Sequence, residues 1–168
     1  ECRSGWELVL AGPDEGGYRA QLEARVAVLG CGSSVVFTGA LGQQEKWIAL
    51  RQAEFLVLPS DFENFGMAAA EAMLAGRPVV ATTGTPWRSL SENGAGWWVP
   101  PTTEALATAM TEAMALSRAG RLAMGERGQR LAQEVTPESV GARLALLYSW
   151  VLGHGTRPAW ISAAVPPA

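Results

Sequence analysis

Apolar and polar positions along this chain come in blocks, and the blocks switch repeatedly between two periods. Short apolar runs occur at Trp6-Glu7-Leu8-Val9-Leu10-Ala11, Val35-Val36-Phe37-Thr38-Gly39, Phe55-Leu56-Val57-Leu58, Pro78-Val79-Val80-Ala81-Thr82 and Gly96-Trp97-Trp98-Val99-Pro100. They predict five strands of a buried sheet. Between them the apolar spacing lengthens to three and four. That predicts helices over 17–29 (Tyr18, Leu22, Val26 and Leu29 on one face), 43–53 (Trp47 and Leu50 inward) and 66–74. Gly76 stops the third helix, and Pro78 stands at the first residue of its strand, where a missing N–H is tolerated. Cys31-Gly32-Ser33-Ser34 reads as a turn, and a loop rich in Gly, Ser and Thr leads into the fifth strand. The chain is helical thereafter. Thr102 or Thr103 caps one helix and Ser117 a second, while Thr136, with Pro137 behind it, opens a last helix that runs to Leu152. Gly153-His154-Gly155 ends that helix, and the tail 159–168 is expected to be loosely ordered. Strand and helix alternating over short connections predict an α/β fold: a Rossmann-like parallel sheet flanked by helices on both faces, with a helical C-terminal end.

Composition narrows the class. The 168 residues are 48% hydrophobic and 17% charged, which excludes a disordered chain and is enough for one domain with a core. A net charge of −3 gives no attraction to nucleic acid. The two cysteines, Cys2 and Cys31, are too few for a disulfide framework; no Cys/His cluster proposes a metal site, and reduced cytosolic thiols are expected. Glu1 is not an initiator methionine, so a cut-out domain is expected. No run approaches the roughly 20 apolar residues that span a bilayer. The stretch from Leu144 to Leu152 is too short and is interrupted by Tyr148 and Ser149, leaving a peripheral role at a membrane surface as the open option.

Candidate chemistry concentrates in Pro59-Ser60-Asp61-Phe62-Glu63-Asn64-Phe65-Gly66-Met67-Ala68-Ala69-Ala70-Glu71-Ala72-Met73, followed by Gly76-Arg77-Pro78-Val79-Val80-Ala81-Thr82. Ligands of open α/β sheets bind at such strand ends. Glu63 sits in the loop and Glu71 on the helix, so both can reach one crevice; carboxylates accept paired hydrogen bonds from vicinal hydroxyls. The N–H groups of Phe65, Gly66 and Met67 lie at a helix N-terminus, a ready anion site. Two glutamates at this spacing, taken alone, would read as a helix cap and an exposed helix residue. Their surroundings favour function.

These pieces, in this order, resemble the donor-binding segment of retaining glycosyltransferases of the GT-B fold, family 4 (glycosyl transferases group 1). The resemblance spans Trp6 to Leu152 and implies the C-terminal half of such a fold. It also implies transfer of a hexosyl group from a nucleotide diphosphate sugar without cofactor or metal. Carried over residue by residue, it places Glu63 by the donor sugar in the catalytic role, either positioning the sugar or stabilising developing positive charge. Glu71 falls on the ribose hydroxyls, and Asn64, Phe65, Gly66 and Met67 on sugar and diphosphate. Gly39 and Leu41 resemble the strand and loop that contact the base, although a plain buried strand with a turn glycine reads equally well there. Gly12 resembles a glycine near the nucleotide or is a turn glycine before Pro13. Thr83 and Gly84 fall near the sugar.

Thr85-Pro86-Trp87 and Gly96-Trp97-Trp98-Val99 resemble members of bacterial surface-polysaccharide and lipopolysaccharide assembly. The expected location is therefore the cytoplasm, with the inner face of the membrane as the open option. Core packing is favoured over sugar stacking for Trp87, Trp97 and Trp98. His154, Arg77 and Arg88 are expected to be solvated. Residues 1–153 then form a donor domain lacking its first strand and helix, and 154–168 a tail. The Arg and Lys that bind diphosphate in the family have no counterpart before Trp6, and Arg3 is no substitute. The glycan or lipid-linked acceptor would be held by an N-terminal domain outside this sequence, so the piece alone is expected to be inactive. The apolar side of the last helix (Leu144, Leu147, Tyr148, Val151) is expected to brace that other domain. One alternative is a non-catalytic nucleotide-sugar-binding or regulatory module. A flavodoxin-like signalling domain would need Asp14 or Asp61 as phospho-acceptor and lacks the early acidic cluster.

Overall fold

The computed structural model describes residues 5–161. In chain order it contains β1 (Leu8–Ala11), α1 (Tyr18–Val28), a 3-10 turn (Gly32–Ser34), β2 (Val35–Gly39), α2 (Gln43–Gln52) and β3 (Leu56–Leu58). Then follow α3 (Met67–Leu74), β4 (Val79–Thr82), α4 (Ser89–Glu92), β5 (Gly96–Val99), α5 (Thr103–Ala115), α6 (Arg118–Gln133) and α7 (Pro137–Val151). Every strand pairing is parallel. The strands fall into two sheets rather than one, β1-β2 and β3-β4-β5. The chain correspondingly divides into two compact units, the first running to Ala49 and the second starting at Leu50, inside α2. Cys2, Arg3 and the end of the tail, 162–168, lie outside the described residues.

The first unit is a β-α-β turn of chain. Leu8 pairs with Val35 and Leu10 with Phe37, and the register shifts between Leu10 and Ala11. No residue of α1 is buried. Of its predicted apolar face, Leu22 and Val26 are half-buried, while Tyr18 and Leu29 stay exposed. A two-stranded sheet offers too little surface to cover an 11-residue helix. The expectation of reduced thiols is corrected at Cys31, which is disulfide-bonded.

The core lies in the second unit. All four residues of β4 are fully buried, as expected of a central parallel strand covered on both faces. Val80 packs with Ala109 and Ala113 of α5, joined by Phe55, Val57, Trp97, Val99 and Leu106. Val79 and Ala81 point to the opposite face, where α3 lies against β3 and β4. Each fully buried valine contributes roughly 1.5–3 kcal/mol. Helix α3 buries Ala69, Ala70, Ala72 and Met73 and ends in a left-handed Gly76. There the N–H of Arg77 donates to the Ala72 carbonyl and that of Gly76 to Met73, closing the helix as predicted.

Helix α6 straps α3. A Cβ on Gly125 would meet the Gly76 carbonyl oxygen at 2.0 Å and one on Gly128 the Met73 side chain at 3.2 Å, so glycine allows the close approach. Arg127 Nε donates to the Gly94 carbonyl (2.6 Å), and Arg121 pairs with Glu54 at 2.7 Å.

The caps fall where the sequence puts them. The Thr102, Ser117 and Thr136 hydroxyls accept from the N–H groups of Ala105, Gly120 and Ser139. Helix α4 was not expected. Four residues are too few to show a helical period, and it sits inside what reads as a loop. Arg77 is corrected from a solvated residue to a half-buried one whose guanidinium donates to the Arg51 carbonyl. Arg88 is solvated as expected and pairs with Glu92 at 2.9 Å. No residue of α7 is buried, and Val140, Leu144, Tyr148 and Val151 are exposed. Among the described residues no helix is long and apolar enough to cross a membrane.

Candidate functional site

Beyond β3 the chain must turn from an extended strand into α3, and it does so at Gly66, whose φ of +76° only glycine adopts without strain. No side chain caps the helix, so the reading of Glu63 as a cap does not hold. Among the described residues, the N–H groups of Phe65, Gly66 and Met67 meet no acceptor, and they gather at the positive end of α3. The Glu63 side chain folds back over this corner: its Cγ would lie 3.4 Å from a Cβ on Gly66. Gly66→Ala is expected to cost about 1–2 kcal/mol for the left-handed conformation alone. A thermal melt that matched wild type would contradict this.

The turn is held from behind by the end of β4. The N–H of Glu63 donates to the Gly84 carbonyl (2.9 Å), and the Thr82 hydroxyl donates to the Ser60 carbonyl. Gly84 lies so close that a Cβ there would sit 2.3 Å from the Asp61 carbonyl oxygen. Thr85 is 3% exposed, its hydroxyl donating to Thr82 O at 2.8 Å, while Trp98 Nε1 donates to Thr85 O at 3.0 Å. The N–H of Thr83 donates to Val99 O at 2.8 Å, tying this segment to β5. Buried threonines at 82 and 85 escaped the sequence reading, and the cluster Thr82-Thr83-Gly84-Thr85 was the signal that marks them.

Of the predicted residues, the second unit therefore brings Glu63, Asn64, Phe65, Gly66, Met67, Thr83 and Gly84 into one interlocked pair of segments. Glu71 stands one turn along α3, about 6 Å in rise from Met67. It is half-buried on the open stripe that Met67 and Ala68 also occupy, opposite the buried stripe of Ala69, Ala70, Ala72 and Met73. Asn64 is exposed, and Phe62 is 80% exposed at the rim.

The tryptophans behave as core more than as platforms. Trp87 is buried beneath Phe65, their rings edge to face with centroids 5.2 Å apart. Its Nε1 has no partner among the described residues, an arrangement that costs about 1–3 kcal/mol. Trp97 packs against the Val80 cluster and donates from Nε1 to Glu112 (2.8 Å).

In the first unit, Gly12 and Gly39 meet directly, the N–H of Gly12 donating to the Gly39 carbonyl (2.9 Å). Both line an open cleft of about 530 Å³ with Leu10, Pro13, Asp14 and Tyr18. Leu41 is half-buried and does not line it. Arg19, which the sequence reading passed over, enters this cleft, with its guanidinium 5.4 Å from the Phe37 ring centroid and paired to Glu23 at 2.7 Å. A further cleft of about 370 Å³ along α5 and β5 contains none of the predicted site residues. Among the described residues no group of three or more His, Cys, Asp or Glu is placed to hold a metal ion.

The model of the family described as glycosyl transferases group 1 matches residues 2–131. A GDP-mannose:cellobiosyl-diphosphopolyprenol alpha-mannosyltransferase of Komagataeibacter xylinus is 31% identical over 163 residues, 96% of this chain and 42% of the relative. The chain thus spans less than half the length of that relative. Among solved structures, a sucrose-phosphate synthase from Thermosynechococcus elongatus superimposes with a TM-score of 0.76 at 28% identity, over 88% of this chain and 39% of that one. Anabaena HepE, solved in complex with UDP, gives 0.77 at 22% identity over 89% of this chain and 42% of its own, a likeness of fold.

Proposed function

This chain belongs to the glycosyl transferases group 1 family and carries the C-terminal half of a GT-B fold, and on that premise we propose that it binds the nucleotide diphosphate sugar for glycosyl transfer. The observation that carries the reading is the Gly66 corner, where three backbone N–H groups at the start of α3, beside Glu63, meet no acceptor among the described residues. Those amides hold the diphosphate and stabilise it as it leaves. Glu71, one turn behind, accepts from the ribose hydroxyls. Glu63, Thr83 and Gly84 lie along the sugar. Catalysis is electrostatic and positional: fixed dipoles face developing charge, and the reactants are pre-oriented. No metal or other cofactor enters, and the anomeric configuration is retained.

An acceptor held by a separate domain completes the active site. A lipid-linked or glycan acceptor in bacterial polysaccharide or lipopolysaccharide synthesis fits both the tryptophan-bearing segments and the polyprenol-linked substrate named for the mannosyltransferase relative. Such an acceptor places the work at the cytoplasmic face of the membrane.

Calorimetry of the full-length protein with UDP and GDP tests the reading. Hydrogen bonds to a charged group contribute about 1.5–3 kcal/mol each, so Glu71→Ala should weaken nucleotide binding by roughly 10- to 100-fold. Unchanged affinity in a folded variant would refute the role of Glu71. Binding by wild type without transfer from any nucleotide sugar would instead identify a non-catalytic module.

A further inference from the structure

We infer that Trp87 is a positioning residue for the donor loop, an inner wall against which the corner at Phe65 and Gly66 is shaped. The inference rests on the donor reading above and extends it to a side chain that faces no substrate. Trp87 is 4% exposed. Its ring meets Phe65 edge to face at 63°, and its Nε1 would lie 3.0 Å from a Cβ on Gly66. It therefore touches two consecutive residues at the point where the backbone turns left-handed.

The wall itself is fixed. The Trp87 carbonyl accepts from the N–H of Leu90 (2.9 Å), which seats the residue at the start of α4. Two residues earlier, Thr85 is buried and bonded to both Thr82 and Trp98. Thr82 and Gly84 already hold the loop at Ser60 and Glu63 by hydrogen bonds; Trp87 adds its support at Phe65 and Gly66 by packing rather than by a polar contact. Nothing among the described residues accepts from Nε1, so the indole acts here through its shape. With the wall removed, the half-exposed Phe65 ring is free to sink into the vacated space and carry the neighbouring amides with it.

The decisive experiment compares nucleotide binding with stability in the full-length protein. Wild type is first titrated with UDP, GDP, ADP and dTDP, and the tightest binder is then measured with Trp87→Leu, Trp87→Phe and Phe65→Leu, well below each variant's melting temperature. A misplaced binding group weakens its ligand steeply, so Trp87→Leu should raise Kd roughly tenfold or more. Trp87→Phe keeps an aromatic edge against Phe65 and should hold Kd within about twofold of wild type, whereas Phe65→Leu should raise it about fivefold. A residue that only packs would lower Tm and leave Kd alone. A folded Trp87→Leu protein with wild-type Kd overturns the inference. Should that variant fail to fold, wild-type Kd in Phe65→Leu, which empties no core, overturns it instead. Failure of wild type to bind any of the four diphosphates defeats the donor reading itself, and this inference with it.

Discussion

Replacing Gly84 with alanine is expected to lower stability and donor turnover together, although the change adds one methyl group to a half-buried loop. The φ of Gly84 is not in the left-handed region, so backbone strain is not the cause. Contact is. The new Cβ would stand 2.3 Å from the Asp61 carbonyl oxygen and 2.5 Å from that of Ser60. These are backbone atoms, so no side-chain rotation relieves the clash and one segment must move off the other. Overpacking of this kind costs about 1–3 kcal/mol, the upper end applying where backbone must shift. In a chain of this size each kcal/mol lowers Tm by about 2–4 °C. The same displacement pulls on the bond from the Glu63 N–H to the Gly84 carbonyl. A misplacement near 1 Å costs roughly 100-fold in rate. Circular-dichroism melts and donor turnover by the full-length protein measure the two effects. Thr83→Ala, one residue away and exposed, should leave the melt nearly unchanged. Wild-type turnover in Gly84→Ala would show that the interlock between the loop and the end of β4 does not hold the site.

The second large effect falls away from the site, where the same chemical change should have opposite signs at two helical glycines. Gly125→Ala drives a Cβ to 2.0 Å from the Gly76 carbonyl oxygen and 2.6 Å from its carbon. The strap of α6 on α3 must then open, at a cost of about 3 kcal/mol or more. Because Met73 and the Gly76 closure sit under that contact, α3 and the corner it begins from lose their footing. Gly141, inside α7, has nothing within 4 Å of a new Cβ. There alanine removes backbone freedom from the unfolded chain and should stabilise by about 0.5–1 kcal/mol. Denaturant melts of both variants give the comparison. Equal melts for the two would mean that α6 does not approach α3 as described.

Much of this architecture is visible in the sequence because it is local. β4 announces itself as Val79-Val80-Ala81 because a strand buried on both faces tolerates little else. Ser117 and Thr136 announce their helices because a cap hydroxyl must stand within three residues of the N–H it serves. Helix α4 was missed for the same reason in reverse, being shorter than the period that would reveal it. In the first unit the periodicity of α1 is genuine, but the two-stranded sheet cannot cover the face it marks. The site divides along the same line. Glu63, Gly66 and Glu71 are legible as a strand–loop–helix pattern. The partnership of Ser60 with Thr82, or of Gly66 with Trp87, joins positions about twenty residues apart through tertiary packing and leaves no periodic trace. The preference for core over platform held at Trp87, which is buried. It held in part for Trp97 and Trp98, which are half-buried with their N–H groups bonded to Glu112 and Thr85.

The loop from Ser60 to Glu63 is fastened to the end of β4 through its main chain: an N–H, a carbonyl and a close approach that asks only for glycine at position 84. Position 82 contributes the one side chain in that fastening, and it comes from the scaffold rather than the loop. The side chains of Asp61, Phe62, Asn64 and Met67 are exposed and take no part in it. Such a loop separates what must stay constant from what is free to drift. Single substitutions of its outward side chains therefore leave the fastening, and with it the fold, intact.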